Sequence, residues 1–178
     1  MDHKHSVVRE GLIAGAAGAA AVAAWFLVLD LFQGRMFFTP GALGSIFFLG
    51  ARSVEDVQIT IGTVAGYTVL HLAAFALVGF VASWIFNWAD EEPRVVLGLG
   101  VLLVVSEVFV LGMMMIGASW LLDEVPIWAV LISNALGMIA VGAYLWRTHP
   151  AMRTNVRDSG LEEIDVGGAT VQRGPPAR

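Results

Sequence analysis

The sequence contains no cysteine, which excludes disulfides, thiolate metal sites and cysteine nucleophiles. Charge is scarce as well. Asp, Glu, Lys and Arg make up 14% of the 178 residues, against about a quarter in an ordinary soluble domain. Lysine is nearly absent, Lys4 standing beside nine arginines. The ten basic residues are scattered and outnumbered by fifteen acidic ones, so no basic patch offers itself to nucleic acid. Also missing are a Walker-type phosphate loop, a GxSxG elbow, an HExxH helix and a dinucleotide fingerprint. The GLGVLL stretch at Gly98 opens an apolar helix, where its glycines have no phosphate to hold.

What is abundant is apolar. Hydrophobic residues are 57% of the chain and the mean hydropathy is +0.76, an excess that needs lipid to cover it. A bilayer core takes about 20 apolar helical residues, and four segments qualify: 11–32, 61–86, 95–121 and 127–146. The first is longer than a signal-peptide h-region and carries Asp30 near its end, so it is expected to be a retained anchor. The stretch NWADEEPR (87–94) is a charged turn between the second and third segments. LDEVP (122–126) is a tighter one that folds the last two into an antiparallel hairpin. The expected fold is therefore all-α, an integral membrane bundle of four transmembrane helices.

Between the first two spans, GALGSIFFLG is apolar but too short to cross. An outer interfacial or re-entrant helix over about 40–50 is expected, started by Thr39-Pro40. Ser53 then reads as the cap of a lead-in to the second span, with Glu55 and Asp56 in its first turn. Lys4, Arg9, Arg94, Arg147, Arg153 and Arg157 lie on one side, Arg35 and Arg52 on the other. The imbalance predicts cytoplasmic N- and C-termini in a plasma (inner) membrane of prokaryotic type. Trp84, Trp88 and Trp146 mark one interface, Trp120 and Trp128 the other. Residues 150–178 lose apolar periodicity and read as a disordered cytoplasmic tail.

Each span carries a strongly polar residue: Asp30, His71, Glu107 and Asn134. At a rise of about 1.5 Å per residue, His71, Glu107 and Asn134 lie about 16, 20 and 12 Å below the outer boundary. Asp30 comes out at about 5 to 10 Å, near enough to Arg35 to pair with it or to be solvated at the helix end. Thr63, Tyr67 and His71, spaced i, i+4, i+8 and preceded by Thr60, form a polar stripe leading down the second span.

Three chemistries suit such a set. The polar groups can bond across helices and fix the packing. His71, Glu107 and Asn134, joined by Asp30, can hold a metal ion or haem, although the Glu-x-x-His of di-iron bundles is lacking. A His71–Glu107 pair can also pass protons. Met114, Met115 and Met138 are conceivable soft ligands, but methionine is ordinary core filler. His3, third from the amino terminus, could complete an N-terminal Cu(II) or Ni(II) site. Gly11 and Gly15 in the first span, and Gly62 and Gly66 in the second, stand at GxxxG spacing, which marks close helix packing within the bundle or across a homodimer. Two functional classes follow. One is a small accessory or structural subunit of a membrane assembly, without enzymatic activity. The other is a metal-, haem- or proton-handling membrane protein.

Overall fold

The computed structural model of the protein describes residues 7–89 and 97–149. Among these residues it is all-helical: α1 Val7–Phe32, α2 Phe38–Leu49, α3 Ile61–Ala89, α4 Leu97–Gly117, α5 Leu121–Glu124 and α6 Ile127–Thr148, with one 3-10 turn at Val54–Asp56. Four of the helices, α1, α3, α4 and α6, are long and apolar enough to cross a membrane. His3 and the segment 150–178 lie outside the described residues.

The four long helices run alternately up and down. Gly11 and Gly15 of α1 lie against Phe80 and Phe75 of α3, and Gly18 lies against Val141 of α6. Toward the other end, the Trp25 indole donates to the Ala129 carbonyl (3.0 Å). Both neighbours of α1 are thus antiparallel to it. The approach between α1 and α3 is backbone to backbone. A Cβ added at Gly79 would stand 2.1 Å from the Gly11 carbonyl oxygen, and one at Gly15 2.3 Å from that of Phe75. The GxxxG pair of α1 is therefore consumed inside the bundle. In α3, Gly66 takes the Phe48 ring of α2, while Gly62 has only Thr60 nearby.

The core is divided between the two ends of the bundle. Ala14, Ala82, Phe86, Val141 and Leu145 pack at the end where α1 begins and α6 finishes. Phe38, Ala42, Ala118, Leu121, Val125 and Val130 pack at the α2 end. Between them α4 is the loosest wall. Among the described side chains from Gly100 to Gly117 none is buried, against 28% in each of the other three spans.

The chain between α1 and α3 differs from expectation in two respects. Ser53 precedes the separate 3-10 turn and does not lead into α3, which begins only at Ile61. Its true cap is a reciprocal pair: Thr63 N–H donates to the Thr60 hydroxyl (3.2 Å) and Thr60 N–H to the Thr63 hydroxyl (3.0 Å), a capping box with threonine in place of glutamate. Glu55 and Asp56 stay in the loop. There the Arg52 amide and Ser53 hydroxyl hold the Asp56 carboxyl below its ordinary value of 3.8. α2 starts at Phe38 and ends in left-handed Gly50 (φ 70°), whose amide bonds Ser45, the usual glycine stop. It packs on α3 so closely that a Cβ at Gly44 would reach the Thr63 carbonyl oxygen at 2.1 Å.

The third span also ends earlier than 121. α4 stops at Gly117, and Leu121–Glu124 forms a separate short helix. Hydropathy does not register this break, because Ala118 and Leu121 turn into the apolar cluster under α2.

Candidate functional site

Asp30 sits at the last turn of α1, where the chain must reverse. Gly34 (φ 68°) and Phe37 (φ 65°) make the reversal and lay the start of α2 over Asp30. Its carboxylate accepts from the Thr39 amide (2.8 Å) and the Thr39 hydroxyl (2.7 Å), and the residue is 2% exposed. The expected pairing with Arg35, or solvation at the helix end, is overturned. The Arg35 guanidinium swings away to Glu124 and Gln33 and lies over the Phe38 ring, 4.0 Å from its centroid. It thereby ties the α1–α2 turn to the α5–α6 turn.

Glu107 and Asn134 are joined by a hydrogen bond that does not include His71. Asn134 Nδ2 donates to Glu107 Oε2 (3.0 Å), joining α6 to α4. His71 bonds instead to the Ala19 carbonyl of α1 through Nε2 (3.1 Å). A carbonyl only accepts, so Nε2 carries the hydrogen and Nδ1 is left as an acceptor in the neutral ring. The ring stacks on Tyr67 (centroids 5.8 Å apart) and tilts against Phe75 (4.8 Å). His71 does line the same cavity as Asn134, so two of the three share a space while Glu107 is reached only through Asn134.

The polar stripe of α3 is interrupted at its start. Thr63 is buried, and its hydroxyl also donates to the Gln58 carbonyl (2.6 Å), so it serves the cap and lines neither of the two large cavities. Tyr67 and His71 line both. Among the methionines, Met114 faces the first cavity, Met115 is exposed, and Met138 is half-buried. Among the described residues no group of three His, Cys, Asp or Glu side chains could hold a metal ion. Of the residues expected to hold a metal or haem, Asp30 bonds Thr39, His71 bonds Ala19, and Glu107 and Asn134 bond each other.

Four further connections carry no clear mark in the sequence. The Trp25–Ala129 bond and the edge-on contact of Trp25 with Trp128 (6.4 Å) join α1 to α6. At the opposite end, buried Glu10 and His149 approach to 3.7 Å. His149 there also lies against Phe86 (5.7 Å). An ionisable residue at each margin of an apolar segment was the only available signal for this last pair.

Comparison of the chain with protein families, characterised proteins and solved structures gave no match.

Proposed function

We propose that the protein is a small accessory subunit of a membrane assembly, with α4 as its partner-facing helix. The observation that carries this reading is that no residue of α4 between Gly100 and Gly117 whose burial is described is buried, in a bundle whose other three spans bury over a quarter of theirs. Lipid tails are as apolar as leucine, so α4 gains little by packing on its own bundle through apolar surface alone. Its exposed Val101, Val104, Val105, Val108 and Phe109 recur at helical spacing along one stripe. The Asn134–Glu107 bond sets that stripe by anchoring the opposite side of α4. The polar groups of the spans support the same reading, since Asp30, His71 and Asn134 each join one helix to another. They act as fasteners in an apolar medium, where each such bond is worth about 1 kcal/mol.

Photo-crosslinking in native membranes tests the proposal. A photoreactive amino acid at Val101, Val104 or Val108 is expected to join one polypeptide in high yield. The same group at Leu77, an exposed position of α3, is expected to give only lipid adducts. Lipid adducts alone from all four positions would overturn the accessory reading, and crosslinks between copies of this chain would make the partner a second copy.

A further inference from the structure

Two clefts of about 360 and 440 Å³ open on the sides of the bundle, the first walled in part by exposed Leu70, Ala74 and Phe109 and the second by exposed Ala20, Ala24 and Thr68. Each falls within the roughly 300 to 1,000 Å³ of small-molecule sites, which are apolar with a few placed polar groups. They share the walls Val22, Phe26, Thr39, Tyr67 and His71. The first reaches across to Ser133 and Asn134 of α6, and the second runs along α1 towards Asp30. The Tyr67–His71 stack is therefore the polar seam at which the two apolar lobes meet.

Most polar groups around these lobes are already engaged. The Thr39 hydroxyl is held by Asp30 and the Ser133 hydroxyl by the Val130 carbonyl (2.7 Å). His71 donates Nε2–H to Ala19 and has Nδ1 left to accept. Tyr67 has a ring contact with His71, but its phenolic hydroxyl has no hydrogen-bond partner among the described residues. A hydroxyl in an apolar medium gains from any partner brought to it. The seam thus carries a donor on one ring and an acceptor on the ring stacked against it. Tyr67, His71 and Phe75 add a ladder of rings at i, i+4 and i+8 against which a flat ring can lie. Among the described residues no Lys or Arg lines either cavity, so an anionic head would find no counter-charge there.

We infer that the Tyr67–His71 seam is the head-group site for a neutral, ring-bearing lipophile of the quinone or quinol class. The ring lies along the seam and the apolar chain fills the second lobe, which runs along α1. A ligand oxygen takes the Tyr67 hydroxyl, and a ligand hydroxyl donates to His71 Nδ1. This goes beyond the accessory role, and the second lobe has no described α4 residue in its wall.

Native mass spectrometry of the purified protein in detergent, with decylubiquinol added, tests the inference. One molecule per chain is expected, with saturation. Tyr67→Phe keeps the ring and removes the hydroxyl, and it is expected to weaken binding about tenfold. Ala24→Phe adds a ring from a wall of the second lobe that is exposed in the bundle, and it is expected to abolish binding while the helical circular dichroism stays unchanged. Non-saturating uptake, or equal binding by all three proteins, would overturn the proposal. So would displacement of decylubiquinol by decanoate at equal concentration, because the head would then not need to be neutral.

Discussion

Asp30 and Thr39 bring a carboxylate out of solvent and return two charge-assisted hydrogen bonds to it, one from a backbone amide and one from a hydroxyl. The two variants of this pair should differ. Thr39→Val loses the hydroxyl donor and keeps the amide, for a cost of about 1 kcal/mol. Asp30→Ala loses both bonds and leaves a buried amide without an acceptor, for a cost of about 2 to 3 kcal/mol. At about 2 to 4 °C per kcal/mol for a chain of this size, thermal unfolding in detergent should show the second Tm falling at least twice as far as the first. Equal shifts would mean that the carboxylate is not what anchors the turn. The polar positions themselves were legible in the sequence, because Asp, His, Glu and Asn stand out in apolar runs. Their partners were not. Arg35 was the nearest cation in sequence, yet the two left-handed residues Gly34 and Phe37 carry Thr39 to Asp30 instead. His71 finds a backbone carbonyl that becomes reachable because small residues let α1 approach α3, and side-chain chemistry in the sequence gives no sign of a backbone acceptor.

The helix pair α1–α3 depends on that approach, and glycines at equal helical rank should respond oppositely to a methyl group. Gly79→Ala places a Cβ 2.1 Å from the Gly11 carbonyl oxygen and 2.5 Å from the Gly15 nitrogen, so the two backbones must separate. A cost of about 1 to 3 kcal/mol is expected, as for other overpacked sites. Gly100→Ala and Gly112→Ala in α4 meet nothing within 4 Å and should stabilise by about 0.5 to 1 kcal/mol through reduced backbone freedom. Thermal unfolding of the three variants side by side reads both signs, and a neutral Gly79→Ala would place the helices farther apart than described. The existence and order of the spans followed from length and apolarity alone. Their ends did so less well: α3 begins at a threonine cap that resembles an ordinary polar loop, and α4 breaks where the residues remain apolar. GxxxG spacing in α1 correctly marked a close contact. Spacing does not say which helix answers it, and Gly79, which does, has no glycine four residues away.

Taken as a whole, the molecule is a tight unit of α1, α3 and α6 with α4 leaning on it, held at mid-depth by the Asn134–Glu107 bond. In lipid, a helix with few small residues at its contact and no buried stripe has little to fix its position. α4 should therefore move relative to α1 more than α6 does. The cysteine-free sequence suits this measurement, since every introduced thiol is unique. Spin labels at Val8→Cys and Ala143→Cys report α1 against α6, and labels at Val8→Cys and Val101→Cys report α1 against α4. All three positions are exposed, near the end where α1 begins and α6 finishes. Pulsed electron resonance on the purified protein in nanodiscs should give a narrow distance distribution for the first pair and a broader one for the second. In membranes that contain the α4 partner, the second distribution should narrow while the first stays unchanged. Equally narrow distributions in the purified protein would mean that α4 is locked without outside help. The weak packing of α4 would then be a property of a finished bundle and not a vacancy for another helix.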